Sequence, residues 1–136
     1  AAAYMVASDG ALQRWGYVVG LASQPFWFAA TWRARVDELI ERRALMFEEM
    51  RPIKTAAEAH RHRSAFLQNE HRRLTKLQRD TLLATLPGSV RGDEERTEAL
   101  DLAFSFEAWR RLRQEQHLSA KQAIAVWRRL ARALLD

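Results

Sequence analysis

The stretch that decides the fold is EALDLAFSFEAWRRLRQEQHLSAKQAIAVWRRLARALL, residues 98–135. Its large apolar residues recur every three or four positions, which is the spacing that places side chains on one face of an α-helix. In the first part of the stretch, this face comprises Leu102, Phe106, Trp109 and Leu112. The spacing predicts a helix over residues 98–116.

A second helix is predicted to begin directly after Ser119. Ser119 and Gln122 have the spacing of a capping box, in which each side chain accepts a hydrogen bond from the other residue's backbone N–H. The apolar face of this helix comprises Ala120, Ala123, Ile124, Trp127, Leu130, Ala131 and Leu134. The chain is therefore expected to be an all-α helical bundle that ends in a helical hairpin.

The two predicted helices carry many large apolar side chains, and burying each one contributes about 1.5–3 kcal/mol. Part of this surface can cover the preceding helices, and the rest could pair with a second copy about a two-fold axis. Periodicity leaves open the alternative that all of it lies in an intramolecular core. The candidate residues for a homodimer interface are Phe106, Trp109, Leu112, Ile124, Trp127, Leu130 and Leu134.

Two parts of the sequence suggest a family. ALDLAFSFEAWRRLR at residues 99–113, followed by HLSAKQA at 117–123, resembles the last two helices of TetR-family transcriptional regulators. RALMFEEMRP at residues 43–52, followed by Ala56, Ala57, His62, Arg63 and Ser64, is similar to the first helices of that family's regulatory domain. The resemblance covers about residues 35–135. It implies a helical effector-binding and dimerisation domain whose two C-terminal helices form the dimer contact.

The resemblance also implies a mechanism. A small, largely apolar effector would enter between helices and shift the dimer between two arrangements, which DNA-binding heads would read. The candidate ligand-binding residues are large, apolar and predicted to face inward from different helices. They are Phe47, Met50, Leu74, Leu77 and Phe104. Plain core packing is the alternative role for all of them.

Upstream of the hairpin, three helices are predicted at residues 33–50, 53–63 and 65–86. The first is expected to end before Pro52, because the residue that precedes a proline is disfavoured in a helix. Pro52 then suits the first turn of the second helix, and Ser64 can cap the third. Pro87 and the residues after it are expected to end the third helix, and residues 89–93 are predicted to form a loop.

The N-terminal part differs in composition, and it divides the chain into an apolar segment at 1–34 and a helical domain at 35–136. TetR-family proteins place a helix-turn-helix domain before the regulatory domain, and residues 1–32 contain no such pattern. DNA contact is therefore expected only through a domain not seen in this chain. The uncharged run at 15–32 supports an alternative, a small membrane-attached helical interaction protein anchored by that run. Its short length and Pro25 favour a packed helix instead.

Composition sets broad limits. The chain has 136 residues, no cysteine and 48% hydrophobic residues, which suits one modest domain without disulfides. The net charge of +5 would suit a nucleic-acid partner, but the arginines alternate with glutamates on predicted helices, which is typical of solvated faces. No cleavable signal peptide is recognisable, so a cytoplasmic location is expected.

Metal binding and catalysis are not expected, and no cofactor is implied. His60 and His62 would face different sides of a helix, and His71 lies about 16 Å from His60 along the axis, whereas zinc ligands on a helix stand three or four residues apart. The stripe Arg72, Lys76 and Arg79 could touch phosphates, but such stripes more often solvate a helix. The chain has no phosphate-binding loop and no nucleophile elbow, so it is not predicted to be an enzyme.

Overall fold

The computed structural model describes residues 13, 16–18, 20–21, 29–61 and 65–136, with the side chains of 56–61 left aside. Its helices are α1 (Trp32–Arg61), α2 (Ala65–Thr85), α3 (Gly88–Arg91), α4 (Glu94–Ala103), α5 (Phe106–Arg110) and α6 (Ala120–Leu135), and a π-helical turn at Arg111–Glu115 extends α5. Every regular element in these parts of the chain is helical, so the predicted all-α class is confirmed. None of the helices found there is both long and apolar enough to cross a bilayer.

The predicted break before Pro52 is wrong, because α1 continues through the proline to Arg61. A proline inside a helix removes one backbone hydrogen bond. Here Met50 and Ile53 are buried on either side of it, while the Pro52 ring itself is exposed. Burial on both flanks holds the helix together across the defect. The predicted cap Ser64, and half of the 15–32 run proposed as a membrane anchor, lie outside the described residues.

The predicted loop at 89–93 is also only partly correct. α2 ends at Thr85, but Gly88–Arg91 forms the short helix α3. Val90 is 4% exposed, and burial of this side chain outweighs the turn-forming composition around it. Asp93 then caps α4 by accepting a hydrogen bond from the backbone N–H of Arg96 at 3.1 Å.

The helix predicted over 98–116 is interrupted between α4 and α5. Ser105 adopts extended backbone angles, and its hydroxyl accepts from the Ala108 N–H at 3.2 Å, so it caps α5. The interruption changes which residues face inward. Leu102 was predicted on the buried face but is 74% exposed, whereas Leu100 and Phe104 are fully buried.

The C-terminal hairpin forms as predicted. After the π-helical turn, His117 takes a positive φ of 56°, and the Leu118 N–H donates to the Leu112 carbonyl at 3.0 Å. Both hydrogen bonds of the predicted capping box are present, with Gln122 N donating to Ser119 Oγ at 3.1 Å and Ser119 N donating to Gln122 Oε1 at 2.9 Å. α6 therefore begins at Ala120, where the sequence predicts it.

The core is a group of aromatic rings between α1 and the C-terminal helices. Phe47 meets Phe106 and Trp127 edge to face, with ring centroids 5.5 and 5.9 Å apart. Trp127 also contacts Phe104 at 5.5 Å and Trp109 at 4.8 Å. Such ring pairs add about 0.5–1.5 kcal/mol each beyond the area they bury. The long helix α1 is thus fixed against the hairpin.

Candidate functional site

Arg43 holds the interruption between α4 and α5 in place. Its side chain is buried, and Nη1 donates to the Phe104 carbonyl at 2.8 Å while Nη2 donates to the Gln78 carbonyl. Burial lowers the pKa of Arg43 to about 10, and the negative charge of Asp101 opposes that shift. The guanidinium therefore stays charged at neutral pH and joins α1, α2 and the end of α4.

Glu48 joins α1 to the hairpin at a second point. Its carboxylate accepts from Arg51 Nη1 at 3.0 Å, from Trp109 Nε1 at 3.1 Å and from Arg113 Nε. Arg113 also donates to the Leu118 carbonyl at 2.7 Å, which ties the chain after the π-helical turn. Burial raises the pKa of Glu48, but the hydrogen bonds and charges of Arg113 and Arg51 outweigh burial and leave it below its usual value.

A cavity of about 400 Å³ lies where α1, α2, α4 and α5 meet. Its polar lining on α1 and α2 consists of Lys54, His71, Thr75 and Gln78. Its polar lining on α4 and α5 and between them consists of Glu98, Asp101, Ser105 and Glu107. Leu74, Leu102 and Phe106 supply the apolar wall. The volume lies within the range of about 300–1,000 Å³ that is usual for small-molecule sites.

Lys54 lies in the lining of this cavity. Lys54 is 8% exposed, and its Nζ lies 2.8 Å from His71 Nδ1 and 5.3 Å from the centroid of the Phe106 ring. Which of the two nitrogens donates depends on the tautomer of the imidazole. The face of Phe106 adds a cation–π contact. The lysine side chain is therefore held between α2 and α5 in the lining of the cavity.

Two carboxylates of the cavity lining are paired with Arg79. Arg79 Nη1 pairs with Asp101 Oδ2 at 2.8 Å, and Nη2 pairs with Glu98. Hydrogen bonds from Arg79 lower the pKa of Glu98, and bonds to both carboxylates raise the pKa of Arg79. Glu107 is a further carboxylate in the cavity lining, on α5. The cavity lining thus contains one lysine and three carboxylates, two of which are paired with Arg79.

An open groove of about 470 Å³ lies on the other side of the α4–α5 interruption. Leu102 and Leu130 line it and are 74% and 36% exposed. Arg111 and Glu115 are among its charged residues. The cavity and the groove share Leu102, Ser105 and Glu107, so residues 102–107 form a common wall between them.

Of the five residues predicted to bind a ligand, only Leu74 lines this cavity. Phe47, Met50 and Phe104 are fully enclosed in the core, and Leu77 packs against it partly buried. The polar residues of the cavity were not predicted. Lys54 follows Phe47 by seven positions and Met50 by four, which places it on the buried stripe only if α1 is continuous. The expected break at Pro52 hid that signal.

The chain itself buries most of the predicted dimer residues. Trp109 and Trp127 are 0% exposed, Phe106 is 2% and Leu112 is 8% exposed. Ile124 and Leu134 are partly buried, and Leu130 remains at the surface. The two tryptophans therefore lie in the intramolecular core that periodicity left open as the alternative, and the homodimer contact stays a prediction. The cause is the length of α1, which supplies enough apolar surface to cover them.

The remaining candidates are charge clusters. Arg72 donates to Asn69, and Lys76 pairs with Asp80 at 2.7 Å, so the basic stripe on α2 is engaged within its own chain. Among the residues described, no three His, Asp or Glu side chains are grouped as metal ligands. The side chains of His60 and His62 lie outside the described set.

Comparison of the chain with family models, with curated proteins and with solved structures finds no match. The resemblance to TetR-family regulators thus stands on the sequence of residues 35–135 alone.

Proposed function

We propose that this chain is the effector-binding and dimerisation part of a ligand-responsive, TetR-like transcriptional regulator, with DNA bound only through a domain not seen in this chain. One observation carries the proposal, which is that residues 102–107 separate a ligand-sized cavity from a surface groove. The sequence resemblance and the all-α fold agree with it. The role is binding, not catalysis, and the location is cytoplasmic.

In this proposal, the common wall transmits the signal. An effector in the cavity contacts Ser105 and Phe106, which begin α5, while Leu102 and Glu107 face the groove as well. A change in the wall therefore alters the groove. Coupling between two such sites is typically about 1–3 kcal/mol. That is enough to change the affinity of a second copy several-fold.

The proposed dimer contact is the outer face of the hairpin, around Leu102 and Leu130. A two-fold interface is formed by the same patch on both copies. Arg111 and Glu115 both line the groove, so a two-fold partner can place each beside its opposite charge. Phe106, Trp109 and Trp127 support this face from within and do not reach the partner.

Light scattering on the purified chain tests the proposal. We expect a dimer at micromolar concentration, and Leu102→Glu or Leu130→Glu should give a folded monomer with unchanged helical circular dichroism. Leu45→Glu is the matched control, because Leu45 is 49% exposed on α1 and does not line the groove. A wild-type monomer, or a dimer that both groove variants leave intact, contradicts the proposed contact.

A further inference from the structure

We propose that the interruption between α4 and α5 is a two-state switch, in which residues 98–116 form one continuous helix as a second, minor arrangement. The inference rests on the proposed function and deepens it, because the interruption lies within residues 102–107, the common wall between the cavity and the groove. It names the element through which the wall regulates both.

The sequence around the interruption fits both arrangements. In a continuous helix, Leu102 precedes Phe106 by four positions and Trp109 by seven, so the three side chains share one face. The structure instead leaves Leu102 74% exposed and buries Leu100 and Phe104. Two positions along a helix correspond to about 200° around its axis, so the latter two lie opposite Leu102. Each arrangement therefore buries apolar side chains that the other exposes.

Two side chains occupy the two ends of a backbone hydrogen bond that a continuous helix would make. That helix would bond the Ala108 N–H to the Phe104 carbonyl, four positions earlier. In the structure, the Ala108 N–H donates to Ser105 Oγ at 3.2 Å, and the Phe104 carbonyl accepts from Arg43 Nη1 at 2.8 Å. Backbone hydrogen bonds of helical spacing lie directly on both sides of this point. A local change of backbone thus connects the two arrangements.

Burial determines which arrangement dominates. The interruption covers two large apolar side chains, Leu100 and Phe104, whereas the continuous helix covers Leu102 in their place. Because the hydrophobic effect grows with the apolar area removed from water, the interrupted arrangement is the major one. A conflict between local pattern and final structure is expected at functional elements.

The switch couples the cavity to the groove. Leu102 and Ser105 line both, and in the continuous helix Leu102 turns to the face of Phe106. An effector or a second copy that contacts Leu102 in its exposed position binds the interrupted arrangement better. Each of the two therefore favours binding of the other, without touching it.

Relaxation-dispersion NMR on the whole chain, labelled in its leucine methyl groups and backbone carbons, tests the inference. The methyl groups of Leu100 and Leu102 should exchange at one common rate, whereas those of Leu82, fully buried on α2, should not. The chemical shifts of the minor state should be helical at Phe104 and Ser105. Random-coil shifts there, or no exchange in either the wild type or Ser105→Ala, overturn the inference.

Two substitutions at Ser105 separate a continuous helix from local fraying. Ser105→Ala removes the cap hydroxyl and favours a helix interior, whereas glycine is tolerated as a cap and disfavours a helix interior. We expect the minor population to rise about five-fold with Ser105→Ala and to stay level or fall with Ser105→Gly. A rise with glycine as large as the rise with alanine overturns the inference.

Ser119→Ala is the matched control. Ser119 also caps a helix through its hydroxyl, but His117 before it has a positive φ, so a continuous helix is not available there. This variant should leave the exchange of Leu100 and Leu102 unchanged, and an equal rise would overturn the inference.

Light scattering in the same samples separates the switch from the proposed function. A dimer without exchange at Leu100 and Leu102 keeps the regulator proposal and rejects the switch. A monomer that exchanges with a helical minor state keeps the switch and rejects the dimerisation role.

Discussion

Arg43 and Glu48 are charged side chains on α1 that stabilise irregular backbone elsewhere in the chain. Arg43 donates to the Phe104 carbonyl where α4 ends, and Glu48 binds Arg113 beside the π-helical turn. Arg43 satisfies a carbonyl that a continuous helix would have bonded for itself, and Glu48 positions Arg113, which donates to the Leu118 carbonyl. At the scale of single residues, the irregular backbone around the cavity and the hairpin therefore depends on two contacts. Each joins residues that lie nearly half the chain apart in sequence.

Arg43→Met should lower the free energy of unfolding by about 2–3 kcal/mol, because it leaves the Phe104 carbonyl without its donor in a buried setting. Urea denaturation measures the change. Arg42→Met is the matched control, since its neighbouring guanidinium is only partly buried and should cost less than half as much. Equal decreases in the free energy of unfolding in the two variants would show that Arg43 contributes packing and not its hydrogen bonds.

Acid should destabilise the protein partly through Glu48. Its pKa in the folded state lies below the usual value, so its stabilising contribution is present above the unfolded-state pKa and is lost as the pH falls through the lowered one. Glu48→Gln should cost about 1–2 kcal/mol at pH 7 and progressively less towards pH 3. Stability curves against pH check this. A constant gap between Glu48→Gln and the wild type across this pH range contradicts the assignment.

At the scale of elements, the π-helical turn is followed, two residues later, by a strained residue. His117 has a φ of 56°, a left-handed conformation that costs a residue with a Cβ about 1–2 kcal/mol and glycine almost nothing. His117→Gly should therefore raise the free energy of unfolding by about 0.5–1 kcal/mol after the entropy cost of glycine. Thermal unfolding measures it.

The adjacent residue provides the control for this change. Gln116 has a φ of −93°, so Gln116→Gly relieves no strain and should lower stability by about 0.5–1 kcal/mol. Opposite signs at neighbouring positions would identify strain as the cause. If both glycine variants are destabilising, the left-handed residue costs less than expected.

Two serine caps show how far sequence predicts these elements. Ser119 follows the irregular His117-Leu118 and has Gln122 three positions later, so its cap is predicted and found. Ser105 lies inside an uninterrupted helical pattern, where both a continuous and a broken helix satisfy the local spacing. The break is stabilised by Arg43, 61 positions away from Phe104. No local pattern carries that information.

Pro52 gives the converse case. Local preference places a helix end before it, yet the buried neighbours on α1 keep the helix continuous. Stability gained by packing exceeds the local defect. The inward faces of α1 and α6 were therefore predictable from spacing, while the element boundaries that shape the cavity were not.

At the scale of the whole molecule, Trp127 is the central side chain of the aromatic core, and the stability of the fold depends strongly on it. It is fully buried and contacts Phe47, Phe104 and Trp109. Trp127→Ala should cost about 3–5 kcal/mol, a large part of the roughly 5–15 kcal/mol that stabilises a typical domain. Urea titration followed by circular dichroism measures the loss. Trp32→Ala, at the partly buried start of α1, should cost clearly less.

The cavity could not be predicted from the sequence, because it forms only when the whole molecule has folded. Apolar stripes predict which side chains are buried, but Lys54, His71 and Glu107 come from three helices and meet only after the whole bundle has assembled. The core residues Phe47, Met50 and Phe104 were recognised as inward-facing for the correct reason, and their role in ligand binding stays a prediction. Large size and inward direction describe a core as well as a pocket.

The contact between Trp109 and Trp127 has an optical consequence. Their rings are 4.8 Å apart between centroids and inclined by 50°, one on each arm of the hairpin formed by α5 and α6. Indoles this close couple their ultraviolet transitions, and the oblique angle makes the coupling chiral, so the pair should give circular-dichroism bands of opposite sign. Separation of the arms abolishes this exciton signal, and the chain thereby reports the state of its own hairpin without any added label.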